Sequence, residues 1–165
     1  MTSALNVVPE TTEITSGVRN PSTIAEGLTD VLADTYSLTF KSHAFHWNVE
    51  GPLFFSLHNL TEEQYEDMFA AADTLAERIR AIGQLAPMKM GEIMENSVIA
   101  DVTEKPTAGE MCQILASDHE RVAHRFHALI KLAGANEDPV TEDLATERAA
   151  FHEQAAWMLK ALSAQ

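Results

Sequence analysis

The 165-residue sequence predicts an all-α chain of four long helices with one long crossover in the middle. Three observations carry that prediction. Apolar residues recur every three or four positions through four long segments, which is the period of a helix with one buried face. Helix start and stop signals bracket those segments. With 45% apolar residues against 7 glycines and 6 prolines, the chain has material for a core and few breakers inside it.

Residues 1–21 are rich in Thr and Ser, lack periodicity and contain Pro9 and Pro21. They are expected to form a flexible arm, leaving residues 22–165 as one bundle domain. The first helix is expected to open at Pro21-Ser22-Thr23, where Thr23 has capping-box spacing to Glu26 and Pro21 blocks helix on the N-terminal side. Its stripe includes Ile24, Leu28, Val31, Leu38 and Phe45, and Gly51-Pro52 stops it. So short a turn forces the next helix to run antiparallel. That second helix is expected from about Leu53 to Gly83, a length of ~45 Å. Residues 84–106 hold Pro87, Gly91 and Pro106, and a short helix over Glu92–Ile99 is expected within this crossover. The third helix starts behind a capping box at Thr107 and Glu110 and ends before Gly134; the fourth opens at Asp138-Pro139, a good cap followed by proline at the first helical position. Four helices with a long middle crossover form a ferritin-like bundle.

The formal charge of -14 argues against a surface that attracts phosphate backbones and makes cations the more natural partners. One cysteine, Cys112, excludes an intrachain disulfide framework and fits a reducing compartment; its apolar helical setting suggests a buried, inert thiol. The first residues lack a basic leader and an apolar core, and no run approaches the ~20 apolar residues of a membrane span. A soluble, cytoplasmic protein is expected.

The chemistry-bearing residues cluster between His43 and Arg78. His46 lies five residues before Gly51 and His58 seven after it, so an antiparallel pair of helices brings both imidazoles to one level. Asp73 and Glu77 are four apart on the second helix and share a face. Fifteen residues separate His58 from Asp73, however, which is ~22 Å along a straight helix. One chain cannot bring these four groups to one ion. Either the histidines and the carboxylates are unrelated, or a second chain packs across a twofold axis so that the histidines of one meet the carboxylates of the other.

The run Lys41-x-His43-x-x-His46-Trp47-Asn48-Val49-x-Gly51-Pro52-x-Phe54-x-x-Leu57-His58, followed by Glu62-Glu63-Gln64-Tyr65-Glu66 and Asp73-x-x-Ala76-Glu77-Arg78, closely resembles the signature of the Dps family, the starvation-induced mini-ferritins. The similarity is dense from about residue 23 to residue 83 and looser beyond. It implies a four-helix subunit with a short helix in the crossover, assembled as a hollow dodecamer. It also implies a ferroxidase site between twofold-related subunits, with His46 and His58 from one chain and Asp73 and Glu77 from the other. Imidazole with carboxylate suits first-row divalent metals, and carboxylate oxygens favour the ferric product. The implied substrates are Fe(II) and hydrogen peroxide, with Zn(II) competing for the same ligands. By the same resemblance Trp47 lies close to the metals, its alternative being core packing, and His43 is a further ligand or a residue that positions one. Glu62 and Glu63 are implied as mineral-nucleating carboxylates inside the shell, or else a solvated helix face; Asn59 stands where members often carry another carboxylate. Asp143 matches the acidic pore region of the family, whereas Asp138 reads as a helix cap. His119, His124, His127 and His152 have no matching carboxylate motif and read as surface or core histidines.

Two competing readings are weaker. A di-iron site inside each bundle needs Glu-x-x-His on two helices, and that motif does not occur in the sequence. A DNA-condensing protein would need several basic contacts, yet Arg19 is the only basic residue before Pro21 and the C-terminal end is nearly neutral. DNA binding is therefore not expected.

Overall fold

The computed structural model describes residues 16–164, and among them all regular structure is helical. The helices are α1 (Pro21–Asn48), α2 (Phe54–Ala81), α3 (Met90–Asn96), α4 (Ala108–Ala135) and α5 (Pro139–Ser163). α1, α2 and α4 each have 28 residues and are therefore ~42 Å long. α1 packs antiparallel on α2, α4 packs antiparallel on α5, and the two pairs close on one core that includes Leu28, Leu38, Leu57, Leu75, Leu115 and Phe126. No helix among the described residues is long and apolar enough to cross a membrane.

The ends of the helices show which local signals govern. α1 starts at Pro21, within the expected opening, but Thr23 does not cap it: Asn20 takes the left-handed conformation at φ 47°, and Pro21 occupies the first helical turn, where its missing N–H costs nothing. α2 ends with Gly83 at φ 84°, whose N–H reaches the Arg80 carbonyl while that of Gln84 reaches Ile79. This double bond pattern satisfies the last carbonyls of the helix. α4 ends in the same way, but at Glu137 (φ 57°) instead of Gly134, which remains inside the helix. The capping box at Thr107 and Glu110 and the Asp138 cap with Pro139 form as expected. α3 lies two to three residues earlier than the expected Glu92–Ile99.

Of the expected arm, residues 1–15 lie outside the described residues. Arg19 is ion-paired with Glu137 at 2.9 Å and its N–H bonds the Asn136 carbonyl, so this part is tied to the α4–α5 turn. The crossover is fastened at Asp34, a fully buried carboxylate on α1 that accepts from the Val98 N–H at 2.7 Å and faces Arg125 of α4 at 3.0 Å. Tyr36, Phe40, Trp47, Phe69, Met90 and Met94 remain exposed on α1, α2 and α3. Large exposed apolar patches are characteristic of contact surfaces.

Candidate metal centre

Gly51, at φ 87°, turns the chain between α1 and α2 within a few residues and brings His46 and His58 level. The rings stack with centroids 3.7 Å apart and planes 17° from parallel. Their bonds are reciprocal: His46 Nδ1 meets the His58 carbonyl at 2.8 Å, and His58 Nδ1 meets the His46 carbonyl at 2.9 Å. A carbonyl only accepts, so both Nδ1 atoms carry the proton, and both Nε2 atoms present lone pairs. The backbone thus fixes the tautomer a metal ligand needs before any metal arrives.

Glu62 completes a three-ligand group. One ligand atom from each of His46, His58 and Glu62 lies within 4.8 Å of the others, a spacing that a single ion can bridge. Glu62 is four residues after His58 on α2, on the same face. Reading Glu62 together with Glu63 as mineral-facing carboxylates missed this nearness, although the i, i+4 spacing from His58 contained it. Glu63 is exposed and stands outside the group. Asn59 donates its side-chain N–H back to the Phe55 carbonyl.

Aromatic residues pack the back of the site. His43 lies between Trp47, at 4.1 Å, and Tyr65, at 4.2 Å, and Tyr65 sets its ring edge-on to His46 at 5.3 Å. Trp47 is 58% exposed, so within one chain it fills no core.

Asp73 and Glu77 are both exposed on one face of α2. Because α2 runs unbroken from Phe54 to Ala81, Asp73 stays ~22 Å and Glu77 ~28 Å along the axis from His58. The chain therefore brings His46, His58 and Glu62 together and leaves Asp73 and Glu77 apart. Their neighbour Arg78 does not join them: it bonds Asp138 at 2.6 Å and Thr141 at 2.9 Å, tying the end of α2 to the start of α5. Asp138 is fully buried; burial pushes its carboxyl up, but Thr141 and Arg78 together hold it below the ordinary carboxylate value. Its carboxylate is committed to capping α5, whereas Asp143, one turn further, is exposed.

The remaining histidines divide by burial. His119 and His152 are fully buried with Nδ1 atoms 2.8 Å apart; burial lowers His119 to about 3 and His152 well below its ordinary value. His124 is exposed, and His127 meets Glu153 at 2.8 Å on the surface. Cys112 is buried, which pushes its thiol up and leaves it un-ionised at neutral pH.

The ferritin-like domain family matches residues 25–165. The chain is 36% identical over 138 residues to DNA protection during starvation protein 2 of Bacillus anthracis, covering 84% of this chain and 94% of that protein. Its fold is similar to Dps from Staphylococcus aureus, with a TM-score of 0.85 and 30% identity over 89% of this chain and 99% of that one. A Dps protein of Vibrio cholerae O1, described as a member of a broad superfamily of ferritin-like diiron-carboxylate proteins, superposes with a TM-score of 0.81 at 27% identity, covering 86% and 89% of the two chains.

Proposed function

Since the chain belongs to the Dps family of ferritin-like proteins, we propose that it is a ferroxidase that binds Fe(II) between two copies of itself, oxidises it with hydrogen peroxide and stores the ferric product inside a dodecameric shell. The observation that carries this reading is a ligand set split along one helix. His46, His58 and Glu62 converge within 4.8 Å, while Asp73 and Glu77 stand exposed ~22 and ~28 Å from His58 along the same α2. An isologous twofold contact pairs each half with its complement on the partner and makes two centres per dimer. The exposed apolar residues on α1, α2 and α3 supply a surface for that contact.

The division of labour follows from the donors. His46 and His58 offer Nε2 lone pairs held by the backbone, which suits a borderline Fe(II) ion; Glu62 with the partner's Asp73 and the partner's Glu77 would add the hard oxygens that favour Fe(III). Each Fe(II) gives up one electron, so two irons reduce one peroxide to two waters with uptake of two protons. Zn(II) should compete for the same donors and stop the cycle, having no electron to give. Glu63 is placed in this reading as a nucleating carboxylate and Asp143 as a pore residue, with His43 and Trp47 packing beside the ligands. The activity is assigned to the cytoplasm, where Cys112 stays a thiol. DNA is not a partner in this reading: a net charge of -14 repels phosphate, and Arg19 is already paired with Glu137.

Anaerobic Fe(II) titration followed by hydrogen peroxide tests the proposal. Oxidation of two Fe(II) per peroxide is expected; consumption of one per peroxide, with hydroxyl radical detected by spin trap, would refute it.

A further inference from the structure

The centre of the bundle contains a set of polar atoms that the metal site does not use. Among the described residues, Ser42 Oγ, both amide atoms of Gln64, His119 Nε2, His152 Nε2 and Arg148 Nε are buried without a hydrogen-bond partner. They come from all four long helices: Ser42 from α1, Gln64 from α2, His119 from α4, and Arg148 and His152 from α5. Ser42, His119 and His152 are fully buried, and Gln64 is 4% exposed.

Neighbouring contacts place these residues at one level. Lys41 bonds Asp118, one residue before Ser42 and His119 respectively. Arg148 bonds Asp67 at 2.6 Å, about one turn from His152 and Gln64. His43 stacks on Tyr65 at 4.2 Å, next to Ser42 and Gln64. Ser42 also departs from the other helical hydroxyls nearby: Thr35, Thr39 and Thr61 each donate to the carbonyl four residues earlier, and Ser42 does not.

The chemistry of the atoms restricts what could satisfy them. The two buried imidazoles are neutral and share one proton between their Nδ1 atoms, so one ring carries its hydrogen on Nδ1 and the other on Nε2. One Nε2 is then an acceptor and the other a donor. Gln64 adds a donor and an acceptor, Ser42 one of each, and Arg148 a donor. This balanced set offers no carboxylate for a cation. Nor does it offer a free positive charge for an anion, since Arg148 is paired with Asp67. A small neutral molecule that both donates and accepts is the complement. Left dry, six such atoms would weigh heavily against the small net stability of a domain.

We propose that the layer formed by Ser42, Gln64, His119, His152 and Arg148 is a binding site for ordered water, a buried cluster that bridges the four helices at the middle of the bundle. Each water would make the two to four bonds typical of internal sites.

Two measurements test this. A high-resolution crystal structure of the assembled protein should show ordered water bonded to an imidazole Nε2 and to the Gln64 side chain. A direct bond between Gln64 and either imidazole, a metal ion in the layer, or a dry void would overturn the proposal. Independently, Gln64→Met keeps the side-chain length and removes both amide atoms. If water satisfies them, the Tm of the variant falls by a few degrees; a rise in Tm would mean that the atoms are unsatisfied, and the water cluster would be wrong.

Discussion

His46 and His58 grip one another through the main chain, each ring bonded to the carbonyl of the other's residue at 2.8 and 2.9 Å. Losing one ring therefore removes one ligand but leaves the other ring's tautomer fixed, because the substituted residue keeps its carbonyl. His58→Ala should weaken Fe(II) binding clearly less than the double variant His46→Ala/His58→Ala. Anaerobic titrations of both variants check this; equal losses would mean that the remaining imidazole does not hold its orientation alone.

A site shared between chains makes a complementation prediction. One variant carries His46→Ala and His58→Ala, another Asp73→Ala and Glu77→Ala, and each alone should oxidise iron poorly. In a mixed dimer, one interface has every ligand intact and the other lacks them all, so about half the wild-type rate should return by the symmetry of the contact. Verified mixed dimers that stay inactive would separate the histidines from the carboxylates.

Glu62 and Glu63 are adjacent in sequence but differ in placement. Glu62→Gln should reduce Fe(II) affinity by roughly 10-fold or more, as losses around a metal site do. Glu63→Gln should leave that affinity unchanged. Titration of both variants against a common wild-type curve distinguishes them.

Asp138 joins the start of α5 to Arg78 at the end of α2. Asp138→Ala should cost about 3–5 kcal/mol, because it strands a largely buried guanidinium and removes a cap. Asp138→Asn, which keeps a cap oxygen, should cost less. The carboxyl is held below its ordinary 3.8, so its stabilising contribution is full above that pH and is lost on further acidification. Denaturant unfolding of the three proteins provides the comparison.

The buried histidines act in a different window. Their folded-state values lie below 6.5, so the unfolded chain takes up protons first and stability falls as pH drops below 6.5, for His119 continuing towards about 3. Between pH 6.5 and 5 the loss from His119 should be about 2 kcal/mol. His152→Gln removes one titrating group and should flatten the slope accordingly.

How much of this was legible in the sequence depended on range. The Gly51-Pro52 turn, the Thr107 box and the Asp138-Pro139 cap are decided by neighbouring residues, and each formed where expected. The start of α1 fell where expected, but the Thr23 box did not form, because Pro21 takes the first helical turn and leaves Asn20 as the cap residue. The end of α4 was misplaced because Glu137, rather than Gly134, takes the left-handed position. The level pairing of His46 and His58 was readable from their spacing about Gly51, whereas the nearness of Glu62 to His46 depends on the packing of α1 against α2. The polar layer was invisible for the same reason: Ser42 and Gln64 sit on stripes that read as core, and only the fold places them opposite two histidines.

The unbroken α2 also acts as a ruler. It fixes two intervals between the histidine end and the carboxylate end, a distance and an angle, and a twofold contact can match them only if both are right. Inserting one residue between Glu62 and Asp73 would lengthen the helix by only ~1.5 Å but swing the carboxylates by ~100° off their face. Inserting seven would nearly restore the angle while adding ~10 Å. In the proposed shared site the spacing along α2 is therefore as much a requirement as the donor residues, and a change in helix length that leaves every donor in place should still abolish the site.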